Sequence, residues 1–197
     1  MHHLHRKKLY SLFETDQKGV IYLKGAQLSY RYGTDYEFPF RQESNFWYLS
    51  GINEPDCHLV LNLDKEESHL IVPKRDAQYA VWHGFVKTKD DYEDKNFDYI
   101  HYDSKLPGLL ESLNPETVFC LNEKQAEFIE DLDRSFRVDS DSLTDAITYC
   151  RVIKTPWELD QLREASRINN TAHREVMKQL EPGKFEYEMK AVFDYHN

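Results

Sequence analysis

Short runs rich in β-branched and aromatic residues punctuate this chain: GVIYLKG (19–25), CHLVLNL (57–63), SHLIV (68–72), FDYIHY (97–102), TVFCL (117–121) and FRVDS (136–140). Each has the length of a strand, and glycines frame the first. An acidic turn, DKEES, separates the second from the third, which reads as a hairpin or meander. Helical patterns fill the intervals: residues 4–14, DAQYAVWHGF (76–85), LPGLLESL (106–113), EKQAEFIEDL (123–132) and SLTDAITYCRVI (142–153). Strands separated by helices imply an α/β layer fold, a mixed β-sheet flanked by helices on both faces. The acidic segment 87–95 reads as a solvated loop.

The most aromatic stretch is FPFRQESNFWYLSGINEPD (38–56). Alternation would set Phe46 and Tyr48 on one face and Trp47 with Leu49 on the other, a strand apolar on both sides that turns at Gly51. Arg41 must then reach water or pair, with Glu54 or Asp56 as partner. No apolar run approaches the roughly 20 residues that cross a bilayer, so a membrane-spanning segment is excluded and no membrane partner is expected.

Composition narrows the classes further. With 13 Tyr and 11 Phe in 197 residues, the chain can bury a real core. A formal charge of −10 argues against nucleic acid, and the one basic patch, Arg6-Lys7-Lys8, reads as the solvated face of a first helix over Leu4, Leu9, Leu12 and Phe13. The histidines of the opening MHHLH read as disordered. Cys57, Cys120 and Cys150 are widely spaced with no CxxC pair, as expected of reduced thiols in a cytoplasmic protein.

Few patterns carry chemistry. No GxGxxG, Walker, HExxH or GxSxG motif is present. DSDSLTD (139–145) lacks the ligand spacing of a calcium loop. His58 and His69 flank the hairpin and could approach one another, although two imidazoles without a third ligand are more often ordinary hydrogen-bonding groups. The carboxylates Asp90, Asp91, Glu93 and Asp94 read as solvated charge.

After about residue 150 the pattern changes. Thr155 as N-cap, Pro156 at the first helical position and Glu158 three residues after the cap form a full start signal. Leu159, Leu162, Ala165, Ile168, Ala172, Val176 and Leu180 then recur at helical spacing until Pro182-Gly183. A second amphipathic segment follows, with Phe185, Met189, Val192 and Phe193 on one side. Their apolar stripes are expected to mark an interface and favour self-association.

Asp35, Phe38, Arg41-Gln42, Ser44, Phe46, Tyr48, Gly51 and Glu54-Pro55, at this spacing, resemble the N-terminal domain of the Xaa-Pro metallopeptidases, that is aminopeptidase P and prolidase, relatives of creatinase. VWHG (81–84), RVIKTPWEL (151–159), AHREVMK (172–178) and EPGKFEYEM (181–189) are similar to later family segments in the same order. The resemblance implies a creatinase/prolidase-type N-terminal domain over 1–148. It also implies a linker and the first two helices of an incomplete pita-bread catalytic domain over 149–197. It further implies a parent hydrolase that cleaves proline-containing peptides before proline, with a dinuclear manganese centre whose five ligands lie outside this sequence. Catalytic and metal residues are therefore expected to be absent from this chain, which alone would be inactive. The implied roles here are closing one side of the cleft and forming a homo-oligomer. In that setting Trp82 and, with it, Asp35 would reach a neighbouring subunit's substrate site. The ordinary alternatives are a capping aromatic for Trp82 and a turn aspartate for Asp35. A stand-alone, non-enzymatic binding or oligomerisation module of the same fold is the second reading, and creatinase-like chemistry on a small amidine a weaker third.

Overall fold

The computed structural model describes residues 1–13, 18–132 and 135–197. They fall into two compact units, Met1–Arg151 and Val152–Asn197. The elements of the first are α1 (His2–Tyr10), β1 (Gly19–Lys24), α2 (Ser44–Ser50), β2 (His58–Asn62), β3 (Glu67–Val72) and α3 (Ala77–His83). They continue with β4 (Tyr99–Tyr102), α4 (Leu106–Leu113), β5 (Thr117–Phe119), α5 (Glu123–Leu132), β6 (Arg137–Asp139) and α6 (Ser142–Val152). The expected first helix reached residue 14, which lies outside the described residues.

One sheet in the order β4-β3-β2-β1-β5-β6 organises this unit. β1 pairs antiparallel with β2 and parallel with β5, so the mixed character originates at the central strand. β3 runs antiparallel to β2, while β4 and β6 add parallel edges. Alternation along β1 sends Ile21 and Leu23 to one face, where they meet Leu59, Leu61, Phe46, Leu49, Leu143 and Ile147 from β2, α2 and α6. Val20 and Tyr22 face the opposite side with Val60, Ile71, Val118, Leu106, Leu110 and Ile129 from the sheet, α4 and α5. Burial on both faces explains why the middle of β1 and of β2 is an unbroken run of apolar and aromatic side chains.

Residues 44–50 are a helix rather than the strand expected from alternation. The Glu43 carboxylate accepts from the N–H groups of Asn45 and Phe46 at 3.0 and 2.7 Å, and Gly51, at φ 71°, closes the helix by donating to the Trp47 carbonyl at 2.8 Å. Phe46 and Leu49, three positions apart, are fully buried, whereas Trp47 stays 42% exposed. An apolar run this short fits either period, and the two caps decide the matter.

The start of the chain also differs from expectation. The MHHLH histidines are ordered in α1, and Arg6 is buried. Nδ1–H of His2 and of His5 both donate to the Tyr48 carbonyl, at 2.9 and 2.8 Å, and Arg6 donates to the Leu49 carbonyl at 2.9 Å. The His5 ring stacks on Tyr48 at 4.0 Å, and the Arg6 guanidinium lies 4.5 Å over Phe97. Lys8 reaches the Cys150 carbonyl at 2.6 Å. Cationic and N–H groups thus satisfy carbonyls at the ends of α2 and α6, where a helix presents unpaired acceptors and partial negative charge. Beneath them Leu9 is buried, but Leu4 and Leu12 are exposed. Segment 87–95 is likewise more structured than a solvated loop: Lys89–Lys95 forms a 3₁₀ turn with Tyr92 buried.

The second unit holds α7 (Pro156–Gln179) and α8 (Glu186–His196). Thr155 and Glu158 form the reciprocal cap read from the sequence, with bonds of 3.3 and 2.7 Å. The two helices pack together, with the His173 and Phe193 rings 5.1 Å apart.

Two outcomes follow. Gly51→Ala forces a Cβ to within 2.4 Å of the His2 ring at a positive φ, and should lower the urea midpoint by an amount equivalent to about 1–2 kcal/mol. Burial holds His58 and His69 at about 4, below the 6.5 usual for an exposed imidazole. The unfolded chain therefore binds protons first as pH falls. Stability conferred by these residues is complete above pH 6.5 and declines from there to about pH 4, by about 3 kcal/mol for the enclosed His58 and by less for His69 beside the half-buried His101, which urea unfolding across this range measures.

Candidate functional site

Chemistry-bearing side chains gather where the loop after β1, the turn after α2 and the segment around α3 converge. Gln42 fastens the first two. Its Oε1 accepts from the N–H groups of Ala26 and Glu43 at 2.6 and 2.9 Å, and its Nε2 donates to the Glu54 carbonyl at 2.8 Å. Arg41 beside it is exposed, the first of the two outcomes the sequence left open, and does not pair with Glu54 or Asp56. Those carboxylates take other cations: Arg75 binds Asp56, and Glu54 receives both Lys87 and the Tyr92 hydroxyl. The buried backbone groups of a turn need a side chain that both donates and accepts, and the Gln42 amide does both.

α3 begins at Asp76, whose carboxylate accepts from the Tyr79 N–H at 2.9 Å, and ends at Gly84, at φ 80°. The Tyr79 and His83 rings stack at 4.0 Å, with the Arg75 guanidinium 4.4 Å from Tyr79. His83 lies 3.7 Å from Glu37, which ties α3 to the loop carrying Asp35. Asp35 is exposed in that loop, two residues after Gly33 at φ 71°. Arg31 steadies the loop, at 5.2 Å from the Tyr36 ring and 5.7 Å from Phe38.

Trp82 points away from these contacts and is 79% exposed, as is Phe85, with Val81 close behind at 76%. Tyr30, Tyr32, Tyr36 and Phe38 on the neighbouring loop are also exposed. Between α3 and the turn after α2 lies a concavity of about 360 Å³, walled by Pro55, Pro73, Tyr79, Phe85, Lys87 and Tyr92. Arg75 and Lys87 beside it are each matched to a carboxylate, so the surface offers rings rather than net charge. Burial, and then the hydrogen bond to Glu54, raises the Tyr92 phenol far above its usual range, and burial pushes the Cys57 thiol up to about 12. Neither group is poised as an acid, base or nucleophile near neutral pH.

His58 and His69 do not form the pair that the hairpin allowed. Register places them two positions apart, and each takes other partners: His58 Nδ1 bonds to the Tyr22 hydroxyl at 2.7 Å, and His69 faces His101. Among the described residues no group of three or more His, Cys, Asp or Glu could hold a metal ion, so a dinuclear manganese centre does not fit them. Likewise no helix among them is long and apolar enough to cross a membrane.

Residues 2–119 match the family described as aminopeptidase P, N-terminal domain. The chain is 35% identical over 187 residues to an Xaa-Pro dipeptidase of Pongo abelii and 34% identical to that of Homo sapiens, in each case over 90% of this chain and 38% of the relative. A probable Xaa-Pro aminopeptidase of Verticillium alfalfae is 32% identical over 182 residues, which make up 89% of this chain and 39% of the relative. The chain therefore spans less than two-fifths of the length of these relatives. Aminopeptidase P from E. coli in its low-pH form superposes with a TM-score of 0.84 at 24% identity, over 99% of this chain and 48% of that one. Pseudomonas aeruginosa aminopeptidase PepP gives 0.87 at 22%, over the same shares. These structures share the fold, a mixed sheet with flanking helices.

Tyr92→Phe leaves the half-buried Glu54 carboxylate with one partner fewer. It should lower stability by about 1–2 kcal/mol in chemical denaturation while leaving the far-ultraviolet circular dichroism unchanged.

Proposed function

Since the chain belongs to the family of the aminopeptidase P N-terminal domain, we propose that it forms the N-terminal part of an Xaa-Pro aminopeptidase or Xaa-Pro dipeptidase acting on proline-containing peptides. In this reading residues 1–148 are the N-terminal domain, and 149–197 are the linker and first two helices of the pita-bread domain. Hydrolysis of the bond preceding proline, with manganese activating water, is assigned to the remaining length of such an enzyme. No step of that chemistry is assigned to the described residues, which hold no cluster of ligands.

The role left to this chain is recognition and assembly. What carries it is the exposed aromatic ledge of Trp82, Phe85, Tyr32, Tyr36 and Phe38 beside a concavity whose flanking charges are matched internally. A ring 79% exposed contributes little to folding by burial, whereas contiguous exposed rings gain most when a partner covers them. The partner in this proposal is a second copy of the protein in a homo-oligomer, with Trp82 and Asp35 closing the neighbour's substrate cleft. Three buried, unpaired thiols support a reducing, cytoplasmic setting. A stand-alone binding module of the same fold is the competing reading, and the absence of a ligand cluster among the described residues accords with it equally.

The test uses the full-length enzyme and the 197-residue chain side by side. Full-length protein should hydrolyse Xaa-Pro substrates in a manganese-dependent manner, and Trp82→Ala should reduce kcat/KM by about tenfold or more, about 1.4 kcal/mol or above, with metal content and thermal stability unchanged. The 197-residue chain should show no turnover with or without manganese. Robust metal-dependent turnover by that chain would overturn the assignment of catalysis. Wild-type kinetics in Trp82→Ala would remove the cleft-closing role.

A further inference from the structure

Helix α3 carries Trp82, yet none of its seven residues is buried. A helix this short is marginal in water, because nucleation costs more than two turns of hydrogen bonds return. Contacts outside its backbone must therefore hold it, and Tyr79 and Ala80 are its half-buried positions.

The holding contacts form a line of five side chains. Asp56, at φ 62°, is fixed by its N–H bond to the Ala26 carbonyl at 3.0 Å, and its carboxylate binds Arg75. The Arg75 guanidinium lies 4.4 Å from the Tyr79 ring, that ring stacks on His83 at 4.0 Å and 22°, and His83 lies 3.7 Å from Glu37. Glu37 is fixed in turn, bridged to Tyr30 through the backbone and accepting from the Tyr30 hydroxyl at 3.3 Å. Tyr79 and His83 stand four positions apart, the spacing that places two side chains on one face of a helix. Stacked rings and a cation over a ring are attractive beyond the area they cover, so this line can fix a helix that lacks a buried face.

We propose that Tyr79, clamped between Arg75 and His83, is a positioning residue that fixes α3 and thereby presents Trp82 in one orientation. The proposal rests on the reading above, in which Trp82 closes the substrate cleft of a second copy. A ring 79% exposed gains little orientation from its own packing, so the helix that bears it must supply that orientation. Trp82 comes three positions after Tyr79 and one before His83, so the turn that the stack closes is the turn that carries it. The line ends at Glu37, two residues after Asp35, and so the same clamp sets Trp82 relative to Asp35. Groups fixed before association pay less ordering entropy when a partner arrives, which is the advantage such a clamp confers.

Amide hydrogen exchange of the 197-residue chain and steady-state kinetics of the full-length enzyme test the clamp together. Leucine is at least as good a helix former as tyrosine, so Tyr79→Leu removes the stacked ring without weakening the helix by propensity. Exchange over residues 77–83 should quicken about tenfold in Tyr79→Leu, keep the parental rate in Tyr79→Phe, and stay unchanged over β2 in both. In the full-length enzyme Tyr79→Leu should lower kcat/KM about fivefold or more, while Tyr79→Phe stays within about twofold of wild type. Introduced into Trp82→Ala, Tyr79→Leu should cost nothing further, because the ring it positions is gone. Parental exchange in Tyr79→Leu would overturn the proposal, as would an equal kinetic loss with and without Trp82, the mark of a merely structural role. Wild-type kinetics in Trp82→Ala with quickened exchange in Tyr79→Leu would remove the cleft-closing reading and leave the clamp on α3 standing.

Discussion

A central strand that is apolar on both faces sets the terms for the first unit. β1 offers Ile21 and Leu23 to one side and Val20 and Tyr22 to the other, all fully or nearly fully buried. Such a strand is stable only with a layer on each side, and the chain supplies two: α2 and α6 on one face, α4 and α5 on the other. The same strand pairs antiparallel with the hairpin and parallel with β5, so both halves of the sheet are built out from it.

The helices on the first face bring their own electrostatic requirement. α2 ends against α1, and its last carbonyls are removed from water without a further turn of helix to satisfy them. His2, His5 and Arg6 meet that need from α1, and Lys8 with the Tyr48 hydroxyl does the same for Cys150 at the end of α6. A basic helix therefore joins two helix C-termini, a placement favoured both by hydrogen bonding and by the helix dipole. In an acidic chain the few early cations are thus structural rather than a nucleic-acid footprint.

Where the sheet and its helices leave off, charge and shape separate. Arg75 with Asp56, Lys87 with Glu54, and His83 near Glu37 bind the loops around α3 to one another, and each consumes its own charge. What remains at the surface is aromatic: Trp82, Phe85 and the tyrosines of the 30–36 loop. A surface of this kind recognises apolar or aromatic partners and does little chemistry itself, in keeping with thiols and phenols whose titration is pushed away from neutral pH.

The sequence by itself determined the α/β class, the position of every strand, the long helix with its Thr155–Glu158 cap, and the family motifs. All of these are local signals: β-branched runs, cap residues and short spacings that need no distant partner. It misread 44–50, because an apolar run of that length satisfies two periods, and it placed Arg6 in solvent and the first histidines in disorder. Those assignments depend on carbonyls more than 40 positions away. Gln42 as the fastening side chain, the exposure of Trp82 and the encounter of His69 with His101 were likewise decided by tertiary structure alone. Which strand lies beside which, and which polar atom finds which, follows from packing layers on a shared sheet. Single-chain periodicity carries no information about that neighbourhood.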